Sequence, residues 1–183
     1  MTTPAERTST ALRTQLASGS LNGNWTLDPN RSTARLRARH MWGLAPVNGY
    51  FRVLTGDGVI SAAGEITGRL ALATGSVDTK NAKRDAELRG ADFLLSEKYP
   101  EITFILDTLT PADQDVTISG TLTVRDTSRR ISFPATVALS GDDEAAFDAK
   151  VEVDRSEFGM TVNHLGMVKM KCSVTLHAVF TKL

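Results

Sequence analysis

The chain alternates. In TARLRARH (33–40), Ala34, Leu36, Ala38 and His40 fall on one side, and Arg35, Arg37 and Arg39 fall on the other. A period of two places successive side chains on opposite faces of an extended strand. In EITGRLALA (65–73), Ile66, Gly68, Leu70 and Leu72 oppose Glu65, Thr67, Arg69 and Ala71. In AFDAKVEVD (146–154), Phe147, Ala149, Val151 and Val153 oppose Asp148, Lys150, Glu152 and Asp154. In KCSVTLHAVF (171–180), Cys172, Val174, Leu176, Ala178 and Phe180 oppose Ser173, Thr175, His177 and Val179. Further strands are expected at 47–55, 58–63, 102–109, 114–125 and 130–140. The turn signals TGDG (55–58), TPADQD (110–115) and SGDDE (140–144) separate them.

Two segments break the alternation. Near the N-terminus, Thr3 reads as a helix N-cap, Pro4 as the first helical residue and Glu6 as the closing member of a capping box. Leu12 and Leu16 share one face of this helix, and Gly19 is its expected stop. The second segment is the charged block Lys80 to Arg89. Asn81 is a fair N-cap, 82–89 holds helix formers, and Gly90 can end it. Asp85 precedes Arg89 by four residues, the favourable order, and Lys83 and Glu87 form the reverse pair. Leu88, Phe93 and Leu94 are its expected packing side. The charges then read as a solvated face. Tyr99 precedes Pro100, which forces extension into ITFIL.

Eight or nine strands with one apolar face each must close or stack to hide their edges. Gly49 and Gly68, inside strand patterns, favour a barrel, because such glycines often mark tight bends or bulges. The expected inner faces mix small with medium residues: Ala34, Ala38, Gly68, Ala149 and Ala178. Small lining residues leave room for a guest. Residues 1–22 are expected to form a helix and linker, and 23–183 a single barrel domain.

Composition narrows the function. Lys plus Arg is 21 and Asp plus Glu is 21, so the formal net charge is zero. A nucleic-acid binder needs a basic excess, so no nucleic-acid partner is expected. The stripe Arg35, Arg37, Arg39 fits either a transient membrane contact or a solvated outer face, and zero net charge favours the second. One cysteine excludes an internal disulfide. Cys172 lies on an apolar face and reads as an inert buried thiol. No secretory signal or membrane-spanning run is visible, so a cytoplasmic location is expected.

No catalytic signature stands out: there is no nucleophile elbow, P-loop or zincin motif. The three histidines lack zinc-ligand spacing, and no metal or cofactor is expected. His177 lies on a polar face and should be exposed. His40 ends an apolar face, where it would meet either a guest's head group or a backbone carbonyl.

Five stretches together resemble the YceI-like family: WTLDPNRS (25–32), RHMWGLAPVNGYF (39–51), SVDTKNAKRDAELRGADFLLSEKYPEITF (76–104), SGTLTVRDTSRRISFPATV (119–137) and VDRSEFGM (153–160). The resemblance covers nearly everything from Trp25 to Leu183. It implies an all-β fold: an eight-stranded antiparallel lipocalin-like barrel, here with a short N-terminal helix and a short helical segment between strands. It further implies an apolar tunnel for a polyisoprenoid or similar long-chain lipid, such as a polyprenyl compound or fatty-acid derivative. The family resemblance favours a homodimer; separately, Trp42 and Leu44, apolar residues in a loop rich in Gly and Pro, fit a two-fold contact or the rim of the tunnel mouth. Two departures stand out. Many members carry a secretion signal, and Ser128-Arg129-Arg130 replaces a common Thr-Lys-Pro block, in a region that reads as a turn.

On this reading the expected ligand-contact residues are Ala34, Leu36, Ala38, His40, Phe51, Ile66, Leu70, Phe104, Leu106, Phe147, Val151 and Leu176. The protein would be a carrier, buffer or sequestering protein and not an enzyme. The alternative is an isomerase- or cyclase-type enzyme acting on an isoprenoid-like substrate in the same tunnel, with His40 as acid or base.

Overall fold

Alternation becomes sheet wherever a strand can bury one face, and most of the periodic segments do so. The computed structural model describes residues 4–40, 45–52, 54–112, 116–163 and 169–183. In these there are eleven strands: β1 (Gly23–Leu27), β2 (Thr33–His40), β3 (Ala45–Phe51), β4 (Leu54–Ile60), β5 (Ile66–Ala73), β6 (Val77–Asp78), β7 (Glu101–Pro111), β8 (Val116–Val124), β9 (Thr127–Ser140), β10 (Glu144–Asp154) and β11 (Lys171–Lys182). Two helices join them: α1 (Pro4–Ser18) and α2 (Ala82–Arg89).

Eight strands close into an antiparallel ring in the order β1, β4, β5, β7, β8, β9, β10, β11 and back to β1. Closure removes the open edges that would otherwise recruit other chains. β11 spans two partners. Its residues 180–182 pair with β1, and its residues 173–177 pair with β2. The intervening loop keeps β11 satisfied: the Asp28 amide donates to Val179 O at 2.8 Å, and the Val179 amide donates to Ser32 Oγ at 3.0 Å. β1 and β2 thus act as one interrupted wall strand. β3 lies beside β2 and carries the short β6 on its other side.

Two turns fall elsewhere than the local signals suggest. TGDG is no turn; it lies inside β4, and the chain reverses instead at Ser61–Gly64, where the Gly64 amide donates to Ser61 O at 2.9 Å. Glycine there serves wall spacing. A Cβ on Gly58 would lie 3.2 Å from Thr67 O, across the pair Gly58–Gly68. Ser128-Arg129-Arg130 is likewise strand, the start of β9, and the hairpin turn is Arg125-Asp126. Gly49 sits within β3 with no break. It leaves room for Thr79, whose Cγ2 would be 2.8 Å from an added Cβ. The register irregularity of the barrel lies at Leu106–Thr108.

The inner faces pack as two apolar clusters at opposite ends of the strands. One gathers Leu72, Val77, Leu94, Val124, Phe158 and Met160. The other gathers Leu12, Leu21, Trp25, Val116, Ala135, Val137 and Ala145. Leu12 brings α1 onto the barrel as its apolar edge predicts. Thr3 and the side chain of Glu6, the expected capping pair, lie outside the described residues, as do Trp42 and Leu44.

Candidate functional site: an apolar lumen

Between the two clusters the barrel holds an elongated cavity of about 280 Å³. Its wall runs along β10 from Ala145 to Val153. Eight residue steps at about 3.3 Å each give a wall about 26 Å long, shortened somewhat by strand tilt. Leu12 and Leu16 of α1, with Leu21 and Trp25, border one end. Met160, Arg155 and Cys172 border the other. Phe104 and Phe133 meet at a 55° tilt with centroids 5.6 Å apart, and Phe147 and Phe180 meet edge-on at 6.1 Å.

Nine of the twelve expected ligand-contact residues line this cavity: Leu36, Phe51, Ile66, Leu70, Phe104, Leu106, Phe147, Val151 and Leu176. Ala34 is packed into the wall at 1% exposure, and Ala38 is half-buried beyond the lining. The side chain of His40 lies outside the described residues. Arg35, Arg37 and Arg39 face outward, and Arg35 stacks on Tyr50 with 5.7 Å to the ring centroid. His177 also lies on the outer side, with Nδ1 2.7 Å from Asp148 Oδ1.

The charged block after β6 is only partly a solvated face. Asn81 caps α2 by accepting from the Arg84 amide at 3.0 Å, and Lys83 and Glu87 are exposed. Asp85, by contrast, is buried. Its Oδ1 accepts from the Thr79 amide at 2.8 Å and from the Thr79 hydroxyl at 2.6 Å. Arg84 donates to Thr79 Oγ1 at 2.7 Å and to Thr79 O at 2.9 Å. Arg89 does not serve Asp85; it donates to Val77 O at 2.8 Å. The reason is topological. β6 is too short to pair its neighbours fully, and the helix side chains satisfy the backbone that a longer strand would have satisfied.

Arg155 was invisible to motif reasoning but not to periodicity. Phe147, Ala149, Val151 and Val153 point inward, and the next position of that parity is Arg155. It is 6% exposed. Its guanidinium donates to the carbonyls of Met160, Val162 (2.6 Å) and Lys169 (3.3 Å), and stands over Phe93 at 5.4 Å. Burial lowers its pKa from the ordinary arginine value. Nearby Cys172 borders the lumen and donates weakly to Val153 O at 3.6 Å. Burial pushes its thiol up to about 11, so at neutral pH it is an uncharged wall residue, in keeping with an inert thiol.

No described helix is long and apolar enough to cross a membrane. The barrel superposes on several solved structures. These include Burkholderia cenocepacia BcnA (TM-score 0.75, 20% identity, 84% of this chain and 98% of that one). A polyisoprenoid-binding domain from Saccharophagus degradans, implicated in plant cell wall breakdown, matches with TM-score 0.70 and 18% identity, over 87% of this chain and 98% of that one. The Campylobacter jejuni YceI protein matches with TM-score 0.66 and 23% identity, over 76% and 87%. At these identities the likeness is one of fold. In sequence, Protein YceI of Escherichia coli is 35% identical over 92 residues, which is 48% of either chain, so the match spans about half the length of that relative. The family model of the YceI-like domain matches residues 25–180, nearly the whole ring from β1 to β11, and by that match this chain belongs to the YceI-like family.

Proposed function

We propose that the lumen holds the tail of a long-chain amphiphile, a polyisoprenoid or similar lipid, and that the protein carries, buffers or sequesters it. The supporting observation is the cavity: elongated, walled by apolar side chains from every strand of the ring, with Asp57, Thr67, Arg69 and Arg155 among the few polar residues on its border. A compact polar metabolite would find few hydrogen-bond partners along such a wall. An apolar tail would contribute roughly 25 cal/mol per Å² buried, so affinity should rise with chain length until the lumen is full. The Saccharophagus degradans protein, a fold relative, is a polyisoprenoid-binding domain, which agrees with this reading. The function is one of binding, with no chemical step assigned to the lumen. A homodimer in the cytoplasm belongs to the same reading, and light scattering at micromolar concentration tests the dimer.

The register gives the direct test. Val151 faces the lumen and Lys150, its neighbour, is exposed. Val151→Trp should fill the lumen at a strain of about 1–3 kcal/mol and exclude the lipid. Lys150→Trp should leave binding intact. Native mass spectrometry of both freshly purified variants reads the lipid directly. Equal lipid in folded Val151→Trp and wild type would place the guest outside the lumen and end the proposal.

A further inference from the structure

The lumen has two unlike ends, and the difference assigns a polarity to its guest. Three charged residues border the cavity: Asp57, Arg69 and Arg155. Asp57 is exposed, and Arg69 forms an outer-face ion pair with Glu101 at 2.5 Å. Arg155 alone of the three is buried.

We infer that Arg155 receives the head group of the guest, that this head is an anionic carboxylate or phosphate, and that the tail runs from it toward Trp25 and α1. This rests on the proposed function, since it concerns the same lumen.

The physical case has three parts. The guanidinium is held rather than free to swing: carbonyls of Met160, Val162 and Lys169 grip it, and the Phe93 ring lies against it. Carbonyl dipoles solvate a cation without cancelling its charge, and the neighbouring Asp154 carboxylate acts on it less than burial does, so a field of Arg155 extends into a lumen of low dielectric. An anionic oxygen arriving there is favoured, and an ammonium is repelled. The planar guanidinium matches carboxylate and phosphate geometry better than a lysine would. The grip on the 160–169 backbone is a structural duty as well, and it is what fixes the group's orientation at the end of the lumen. Away from this end, Phe104, Phe133, Phe147 and Leu176 offer a head group nothing polar, and Arg69, the other cation on the lining, is already paired with Glu101 on the outer face, so the reverse orientation would give an anion no buried cation to meet.

Four probes of one chain length separate the possibilities: hexadecanoic acid, hexadecyl phosphate, hexadecanol and hexadecylammonium, each measured by fluorescence displacement on the wild-type protein. The acid or the phosphate should bind at least about tenfold tighter than the alcohol, the gain expected of a hydrogen bond to a charged group, with the ammonium weakest. The tighter of the two anions identifies the head class. Arg155→Gln should remove most of this preference while the alcohol still binds. Because Arg155 also supports the fold, a second measurement leaves it untouched. The chain has two tryptophans, and Trp42→Phe leaves Trp25 as the sole indole. Bromine at the ω carbon of hexadecanoic acid should then quench Trp25 more strongly than bromine at the α carbon. Alcohol and acid of equal affinity, or stronger quenching by the α-bromo acid, would overturn the inference and leave the proposed function standing. Failure of all four probes to bind would overturn both.

Discussion

The α1 end of the barrel and the Arg155 end are both buried, but they are held together by different forces. At the α1 end, Leu12, Leu21 and Trp25 pack on Val116, Val137 and Ala145, and the Trp25 indole finds its one donor partner in Leu21 O at 3.0 Å. At the other end, apolar packing of Leu94, Phe158 and Met160 is threaded by buried polar groups: Asp85 on Thr79, Arg84 on the Thr79 carbonyl, Arg155 on three carbonyls. Apolar contacts are forgiving, because neighbours relax around a lost methyl group. Hydrogen bonds to buried charges are not, because removal of one partner leaves the other desolvated. The contrast has a cause in the chain. The α1 end is closed chiefly by a long helix and long strands, with Trp25, Lys182 and Gln15 donating to the few loop carbonyls left over. The Arg155 end is closed by α2, a two-residue strand and a 3-10 turn at Arg155–Phe158, and the backbone groups around them need side chains as partners.

The sharpest way to break this contrast is to remove one group from each end. Asp85→Ala strips the Thr79 amide and hydroxyl of their common acceptor, and about 3 kcal/mol of stability should be lost in urea unfolding. Leu12→Ala deletes part of one apolar cluster and should cost about 2 kcal/mol, the low end for a buried leucine because α1 can settle onto the barrel. If Leu12→Ala proves the costlier of the two, the polar end is not the more brittle. Since the sites lie at opposite ends of the strands, the double variant should be additive to within about 0.5 kcal/mol.

Two smaller effects sharpen the same picture. Cys172 faces the lumen with its thiol raised to about 11. A raised thiol pKa stabilises the fold below the unfolded value, and that contribution is lost as pH rises through 11. Alkylation by iodoacetamide should therefore be slow at neutral pH and should accelerate steeply only in strong alkali; ready modification near neutrality would show a thiolate where burial predicts none. Asp78, at the same end, accepts from the Lys80 amide at 2.8 Å and pairs with Arg52, which together hold its carboxyl down at about 2. A depressed carboxyl contributes stability above its unfolded value, near 4, and loses it as pH falls toward 2. The stability gap between wild type and Asp78→Asn should thus be small, constant at neutral pH, and closed by about pH 2. A gap unchanged across that range would mean that Asp78 titrates normally.

Much of this barrel was legible from residues alone. Period two assigned Leu36 inward and Arg35 and Arg37 outward, and it put Leu70, Phe147, Val151 and Leu176 on inner faces, because a strand of a closed sheet has only two sides and one must be buried. The cap at Asn81 was equally local, since it needs only a side-chain oxygen near the Arg84 amide. Local rules failed where a distant partner decided the outcome. TGDG reads as a turn, yet a ladder to β5 draws it into β4. Ser128-Arg129-Arg130 reads as a turn, yet pairing with β8 extends it. Asp85 and Arg89 have the spacing of a surface ion pair, but the unsatisfied backbone around β6 claims each of them separately.

The sequence by itself determined which faces are apolar, and hence that the sheet had to close or stack around an interior lined partly by small residues, because alternation and side-chain volume are properties of neighbouring residues. Only the tertiary structure decided that the inner faces leave a continuous cavity, that α1 borders one end of it, and that the inward parity of β10 carries on past Val153 to deliver a buried guanidinium to the other. Those outcomes depend on which strands meet and how far their side chains reach across the lumen, distances that no local pattern encodes.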